Sequence, residues 1–318
     1  MGEFAANKGP SNVNRILLEN ARGRICYGKH TSLPGRFTDL ITGIPQAACV
    51  VISGGCSRKI FSLIRFLNPR AKLVYIMHGC IEYENRINHL GVGAQALAAE
   101  KRLWKAADRI VCVSEPYAQW FAEQYPQYRE KIRFINNPME ISPRTPAAKT
   151  PNTIAVSGGN RIQKNNGEVC EAVRKLEQRG ICCRVLSFGR MYPDNEDLSR
   201  YPFTEVMGHC EKEEYYSILD RVSLYVINSE LESFGLGAGD ALNCRCALLL
   251  SAQAGVKSVL GTEKCDLIDH PHDTDELADK IQYLLQNSNY DRLAASFDRA
   301  ACDPVRIVDK LISICEEI

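Results

Sequence analysis

No stretch of this chain approaches the roughly 18 consecutive apolar residues that a membrane-spanning helix needs, so a helical integral membrane protein is excluded. The first residues lack the apolar core of a secretory signal, and a cytoplasmic protein is expected. Cysteine is not scarce, at 14 in 318 residues, but metal-type spacing is missing. Cys182 and Cys183 are adjacent and Cys244 and Cys246 are one apart, and neither pattern makes a zinc site. Buried thiols in a reducing compartment are the expectation. No glycine loop ends in Gly-Lys-Ser/Thr, which excludes a P-loop, and Gly158-Gly159 does not fit the dinucleotide fingerprint. Short repeats and low-complexity tracts are absent.

What is present is 45% hydrophobic and 24% charged, the composition of a globular chain, with length for two ordinary domains. The net charge of +1 hides a division. Residues 1–150 carry 21 Lys+Arg against 11 Asp+Glu, a net +10, and residues 151–318 carry 18 against 27, a net −9. A nucleic-acid role is disfavoured by the acidic second half and by the lack of a recognisable motif. The basic half suits an anionic surface or acceptor. Within it, residues 57–72 hold five bases and no acid around an apolar face of Phe61, Leu63, Ile64, Phe66 and Leu67. That pattern fits either a sheet-covering helix or a helix docked on an anionic bilayer.

Apolar runs and helical patterns alternate along the chain. Strands are expected at Arg24–Tyr27, Ala47–Ile52, Lys72–Met77, within Ala106–Glu115, within Lys131–Pro138, and at Thr153–Ser157, Cys183–Phe188, Phe203–Met207, Val222–Ile227, Cys246–Leu250 and Cys265–Ile268. A stunted strand is expected before Lys8-Gly9. Helices between strands at this spacing argue for parallel sheets covered on both faces. The prolines at 138, 143, 146 and 151 mark a linker. The domains expected are 1–145, 146–302 and a last helix, 303–318, crossing back to the first.

One stretch organises the rest, Ser229-Glu230-Leu231-Glu232-Ser233-Phe234-Gly235-Leu236-Gly237-Ala238-Gly239-Asp240. A strand precedes it, and a short helix is expected to begin near Gly235. A helix N-terminus with glycines lets an anion approach unpaired N–H groups. Glu232 and Asp240 flank that turn, and carboxylates suit the hydroxyls of sugar rings. A second anion-seeking loop follows Thr153–Ser157, where Gly158-Gly159 precede Arg161 and Lys164. Arg grips phosphate oxygens as a fork and Lys acts as a point charge. Asp273-x-Asp275 could suggest metal, but Glu276 and a periodic helix follow at once, so a helix cap is expected.

Glu232-Ser-Phe-Gly with an acid eight positions on resembles the Glu-x7-Glu signature of the retaining glycosyltransferases of family 4, with Asp240 at the second acid. Tyr75-Ile76-Met77-His78-Gly79 resembles that family's strand-end His-Gly, and Ala107-Asp108-Arg109-Ile110-Val111-Cys112-Val113-Ser114 its Ala-Asp-x-Ile-x-x-Val-Ser segment. The resemblance covers nearly the whole chain and is strongest over 153–250. It implies an α/β protein of the GT-B fold, two Rossmann-like domains whose parallel sheets face across a cleft. It implies a metal-independent hexosyltransferase without cofactor, of the type that builds bacterial surface polysaccharide; the basic first half adds the expectation of a cytoplasmic protein peripheral on the inner face of the plasma membrane. It would transfer a sugar from a nucleoside diphosphate sugar to a glycan or lipid-linked acceptor, with retention.

In that reading His78, Glu232, Arg161 and Lys164 are catalytic. Ser233, Phe234, Gly235, Leu236, Asp240, Gly189 and Gly208 bind the donor, Asp240 at the ribose and the two glycines near the base. Lys8, Gly9 and Glu82 lie on the acceptor side. Two alternatives stay open: another enzyme of this fold, such as a sugar-nucleotide epimerase, and a non-catalytic sugar-nucleotide-binding subunit.

Overall fold

A computed structural model describes residues 9–26, 33–54 and 58–318. The chain forms two compact units, one of residues up to Met139 together with Ala300–Ile318, the other of Glu140–Arg299.

In the first unit β1 (Cys49–Ser53), β2 (Lys72–Met77), β3 (Arg109–Cys112) and β4 (Ile132–Phe134) pair in parallel in that order. The middle strand β2 is buried along Leu73–Met77, which is why it reads as an unbroken apolar run rather than an alternation. The strand expected at Arg24–Tyr27 is not there: Arg24–Cys26 has no strand pairing, and Tyr27 lies outside the described residues. Helix Gly9–Asn20 ends just before, and the positive φ of Arg22 and Gly23 turns the chain back. Arg24 then donates to the Ala21 carbonyl and pairs with Asp309. The strand expected before Lys8 also lies outside the described residues.

The last helix, Pro304–Glu316, belongs to this first unit. Asp303 caps it by accepting from Arg306 N at 2.9 Å, and Pro304 supplies a preset first turn. Ile307, Val308, Leu311 and Ile314 are its buried face, and helix Gly9–Asn20 packs alongside with Val13 and Leu17 buried.

In the second unit β5 (Thr153–Ser157), β6 (Arg184–Phe188), β7 (Thr204–Gly208), β8 (Leu224–Ile227), β9 (Ala247–Ser251) and β10 (Leu267–Ile268) form a parallel sheet ordered β10-β9-β8-β5-β6-β7. Ile154, Val156, Val185, Leu224, Val226 and Leu249 make its core with Val169, Val173 and Leu176 of helix Asn166–Gln178 and Leu277 and Ile281 of helix Thr274–Gln286.

The proline-rich stretch after Met139 is pinned rather than slack. Ser142 N donates to Asn243 Oδ1 at 2.6 Å, and Lys149 Nζ to the Cys244 carbonyl at 2.5 Å. Thr150 N donates to Arg221 O at 2.8 Å. The unit boundary therefore falls at 139/140, not 145/146, because residues 140–150 bond along the second unit. Among the described residues no helix is long and apolar enough to cross a membrane.

Candidate functional site

In an open parallel sheet, ligands collect beyond the carboxyl ends of strands where the strand order reverses. In the second unit that point lies between β5, from which β6 and β7 run one way, and β8, from which β9 and β10 run the other. The two loops singled out in the sequence leave these two strands.

Buried amides stitch the loops together. Gln163 Nε2 donates to Leu231 O at 2.7 Å, and Glu230 N donates to Gln163 O at 3.0 Å. Asn165 and Asn228 each donate to the other's backbone carbonyl, at 3.1 and 3.2 Å. Asn166 Nδ2 donates to Ser157 O and Gly159 O. All four amide residues are almost fully buried, where an unmade hydrogen bond is costly, so the register of the two loops is firmly set.

That register brings Lys164 onto Glu232. Lys164 Nζ pairs with Glu232 Oε2, the two side chains being 11% and 19% exposed. Arg161 follows Gly158-Gly159 and its Nε lies 3.4 Å from the Gly158 carbonyl. Gly159 takes φ +61°, and a Cβ there would lie 1.9 Å from the Arg190 carbonyl oxygen. Gly159 N donates to Phe188 O at 2.8 Å, and Gly189 N to Gly208 O at 2.6 Å. The loops after β5 and β6 thus touch backbone to backbone.

The remaining donor-side residues are placed as follows. Phe234 is buried and Gly235 takes φ +102°. Leu236 precedes the helix, which runs Gly237–Asn243 and so starts two residues later than Gly235. Gly237 sits under Tyr225, whose hydroxyl would lie 2.5 Å from an added Cβ. Asp240 is not open at both oxygens: Tyr216 donates its hydroxyl to Asp240 Oδ1 at 2.7 Å. Burial raises the Asp240 pKa, opposed by that bond and by Lys212. Ser233 lies in the half-buried loop between Glu232 and Phe234. Nearby, His272 contacts Glu168 at 3.0 Å and Glu230; burial opposes its charge, but the two carboxylates raise its pKa. Asp273 caps helix Thr274–Gln286 by accepting from Asp275 N and Glu276 N. Glu276 reaches past it to accept from Asp269 N and His270 N, so the cap extends beyond Asp273 itself.

In the first unit His78 follows β2 directly. Its Nε2 lies 2.9 Å from Ser53 Oγ at the end of β1, and Ser53 Oγ donates to Asn14 Oδ1 at 2.5 Å. Burial pushes the His78 pKa down to about 4, so the ring is neutral at physiological pH. Gly79 makes room for Glu84, whose Oε1 would lie 2.4 Å from a Cβ. Glu82 pairs with Lys101, its Oε1 2.5 Å from Nζ, and accepts from the Tyr125 hydroxyl at Oε2 at 3.0 Å, and it lines a cavity with Tyr83, Arg86 and Trp120. Gly9 is the first residue of helix Gly9–Asn20, and Lys8 lies outside the described residues.

The stitching roles of Gln163, Asn165, Asn166 and Asn228, the Tyr216 contact, and the contact of Ser53 with His78 were not legible in the sequence; of Ser53 only its loop, Ser53-Gly54-Gly55 at a strand's end, was. The signal available for the first four was their density, four amides within two glycine-bearing loops. Glu100 was missed too. Its carboxylate accepts from Ile81 N and Glu82 N at 2.9 Å each, holding the helix that follows His78, and burial raises its pKa to about 7.

Comparison with known proteins gives a consistent picture. The description "Glycosyl transferases group 1" matches residues 139–301, and "Glycosyltransferase Family 4" matches residues 56–142. HepE of Anabaena, solved with UDP and glucose, has a TM-score of 0.68 at 13% identity, over 100% of this chain and 99% of its own. The pneumococcal O-GlcNAc transferase GtfA, solved with UDP and GlcNAc, has a TM-score of 0.61 at 16% identity, over 89% and 60%. WaaG, a glycosyltransferase involved in lipopolysaccharide biosynthesis, has a TM-score of 0.61 at 14% identity, over 99% and 98%. At these identities the likeness is one of fold. A search of curated protein sequences finds no match.

Proposed function

The chain belongs to the glycosyl transferases of group 1, with the GT-B architecture, and from that premise we propose that it transfers a sugar from a uridine diphosphate sugar, with retention. The observation that carries this is the pairing of Lys164 with Glu232 at the strand-order reversal of the second unit, with the Arg161 guanidinium and the Lys164 stem both against Gly158. UDP in the solved neighbours supports the choice of nucleotide. Arg161, Lys164 and the backbone near Gly235 and Leu236 stabilise the charge that grows on the leaving diphosphate. Glu232 orients the donor sugar through its hydroxyls, Asp240 with Tyr216 faces the ribose, Ser233 and Phe234 shape the loop, and Gly189 and Gly208 border the base. His78 is assigned to the hydroxyls of the transferred sugar. With Arg161 and Lys164 assigned to the diphosphate, this reading requires no metal and expects donor binding to survive a chelator.

Arg161 is the cleanest test, since its side chain makes one described hydrogen bond, a long one, and the fold does not lean on it. UDP should raise the melting temperature with or without chelator. Arg161→Ala should weaken UDP binding about 10- to 100-fold, the worth of a charge-assisted hydrogen bond. If UDP and the other nucleoside diphosphates leave the melting temperature unchanged, the assignment falls.

The acceptor is taken to be a glycan or lipid-linked glycan of surface polysaccharide, met at an anionic membrane. What supports this is an apolar surface on the basic unit: Phe66 is 83% exposed, and Phe37 and Ile41 lie exposed on helix Leu33–Gly43. Asn68 ties the end of helix Arg58–Leu67 to the turn at Ile44–Gln46 by donating to Ile44 O at 2.9 Å. Arg70 and Lys72 are exposed beside it, whereas Arg65 is spent on the carbonyls of Ala71 and Ala106. The protein should sediment with phosphatidylglycerol-containing vesicles at low salt, and Phe66→Ser should cut that binding about 10-fold. No binding to such vesicles would remove the membrane from the proposal.

A further inference from the structure

The first unit contains a relay that the sequence motif does not include. Ser53 ends β1, His78 follows β2, and these strands are parallel neighbours in register, Ser53 opposite Ile76. Their carboxyl ends therefore bring the hydroxyl and the imidazole together. Asn14, 4% exposed on helix Gly9–Asn20, approaches from the other side. The contacts are Ser53 Oγ to Asn14 Oδ1 at 2.5 Å and Ser53 Oγ to His78 Nε2 at 2.9 Å.

A serine hydroxyl has one hydrogen to give and lone pairs to receive. Here the hydrogen goes to Asn14, an amide oxygen that can only accept. The Ser53 oxygen can then meet Nε2 only as an acceptor, so Nε2 must carry the imidazole hydrogen. A neutral ring with hydrogen on Nε2 has its lone pair on Nδ1. We propose that Ser53 and Asn14 are positioning residues that hold His78 in the Nε2–H tautomer and so present Nδ1 as a hydrogen-bond acceptor. The ligand group this selects is a donor, such as a sugar hydroxyl. Carbonyl and carboxylate oxygens at the same place would face a lone pair and be repelled. The assignment of that hydroxyl to the transferred sugar rests on the transferase reading above, but the tautomer does not.

The test separates the two. Nitrogen-15 NMR of histidine-labelled protein without ligand reads the tautomer directly, and the chain has 6 histidines to assign. The wild type should show His78 protonated at Nε2. Ser53→Ala, a half-buried position that tolerates the change, should give a mixture of tautomers. Ser53→Thr keeps the hydroxyl and should restore the wild-type signal. A wild-type ring protonated at Nδ1, or a Ser53→Ala spectrum identical to wild type, would overturn the relay whether or not transfer has been seen. In donor turnover, Ser53→Ala should lower kcat about 10-fold with little change in KM, and Ser53→Thr should recover it. An unchanged kcat beside an altered tautomer would overturn the positioning role.

Discussion

Glu232→Gln should lower release of UDP from its sugar about 100- to 1000-fold while leaving UDP affinity intact or slightly improved. The two halves of that expectation have separate causes. Glutamine keeps the shape of the side chain but not the full negative charge that grips sugar hydroxyls and sits against a charge-developing centre. Lys164, freed from its ion pair with Glu232, keeps its cation for the diphosphate. A merely structural Glu232 would behave differently. Breaking a largely buried pair destabilises the loop and weakens turnover and nucleotide binding together. Calorimetric titration with UDP beside initial rates on a panel of UDP sugars distinguishes the cases. A kcat within about threefold of wild type would remove Glu232 from the reacting centre.

The second large effect is on stability. Gly159→Ala should lower the stability of the second unit by about 2–4 kcal/mol, and its melting temperature by about 5–15 °C. Part of this is the left-handed backbone at φ +61°, which costs an alanine roughly 1–2 kcal/mol. The rest is a Cβ 1.9 Å from the Arg190 oxygen and 2.7 Å from its carbonyl carbon, backbone atoms with no rotamer to escape into. Gly180 is the control. It has φ +81° and nothing within 4 Å of a Cβ, so Gly180→Ala should cost the backbone share alone, about 1–2 kcal/mol. Equal losses at the two positions would mean that the loops after β5 and β6 can separate freely. Any surviving Gly159→Ala protein should also bind UDP more weakly, because Arg161 is two residues along the same loop.

Several features were carried by short-range pattern. The apolar runs at Thr153–Ser157, Val222–Ile227 and Cys246–Leu250 correspond to β5, β8 and β9 within one or two residues, because strands buried on both faces need unbroken apolar sequence. The run at Arg24–Tyr27 misled for the same reason: Arg24-Ile25-Cys26 has strand composition, but the turn at Arg22 and Gly23 sends it elsewhere. Capping by Asp273 was legible because a cap is a contact over two or three residues.

Glu232, Lys164 and Arg161 could be picked out singly by charge, glycine neighbours and resemblance, but their meeting could not. Lys164 and Glu232 are 68 residues apart, and only the placement of β8 beside β5 makes their loops neighbours. The same holds for Ser53 and His78, 25 apart and joined by the parallel pairing of β1 and β2, and for Asn14, 39 from Ser53. It holds also for Glu82, whose contacts with Lys101 and Tyr125, 19 and 43 residues on, come from the packing of separate elements. Local sequence set most of the strand and helix segments, Arg24–Tyr27 excepted, and the chemical types offered at each strand end, since these depend on residues within a few positions. The tertiary structure alone decided which of those groups face one another, because strand order and loop stitching by buried amides are set by burial and hydrogen bonding over the whole unit.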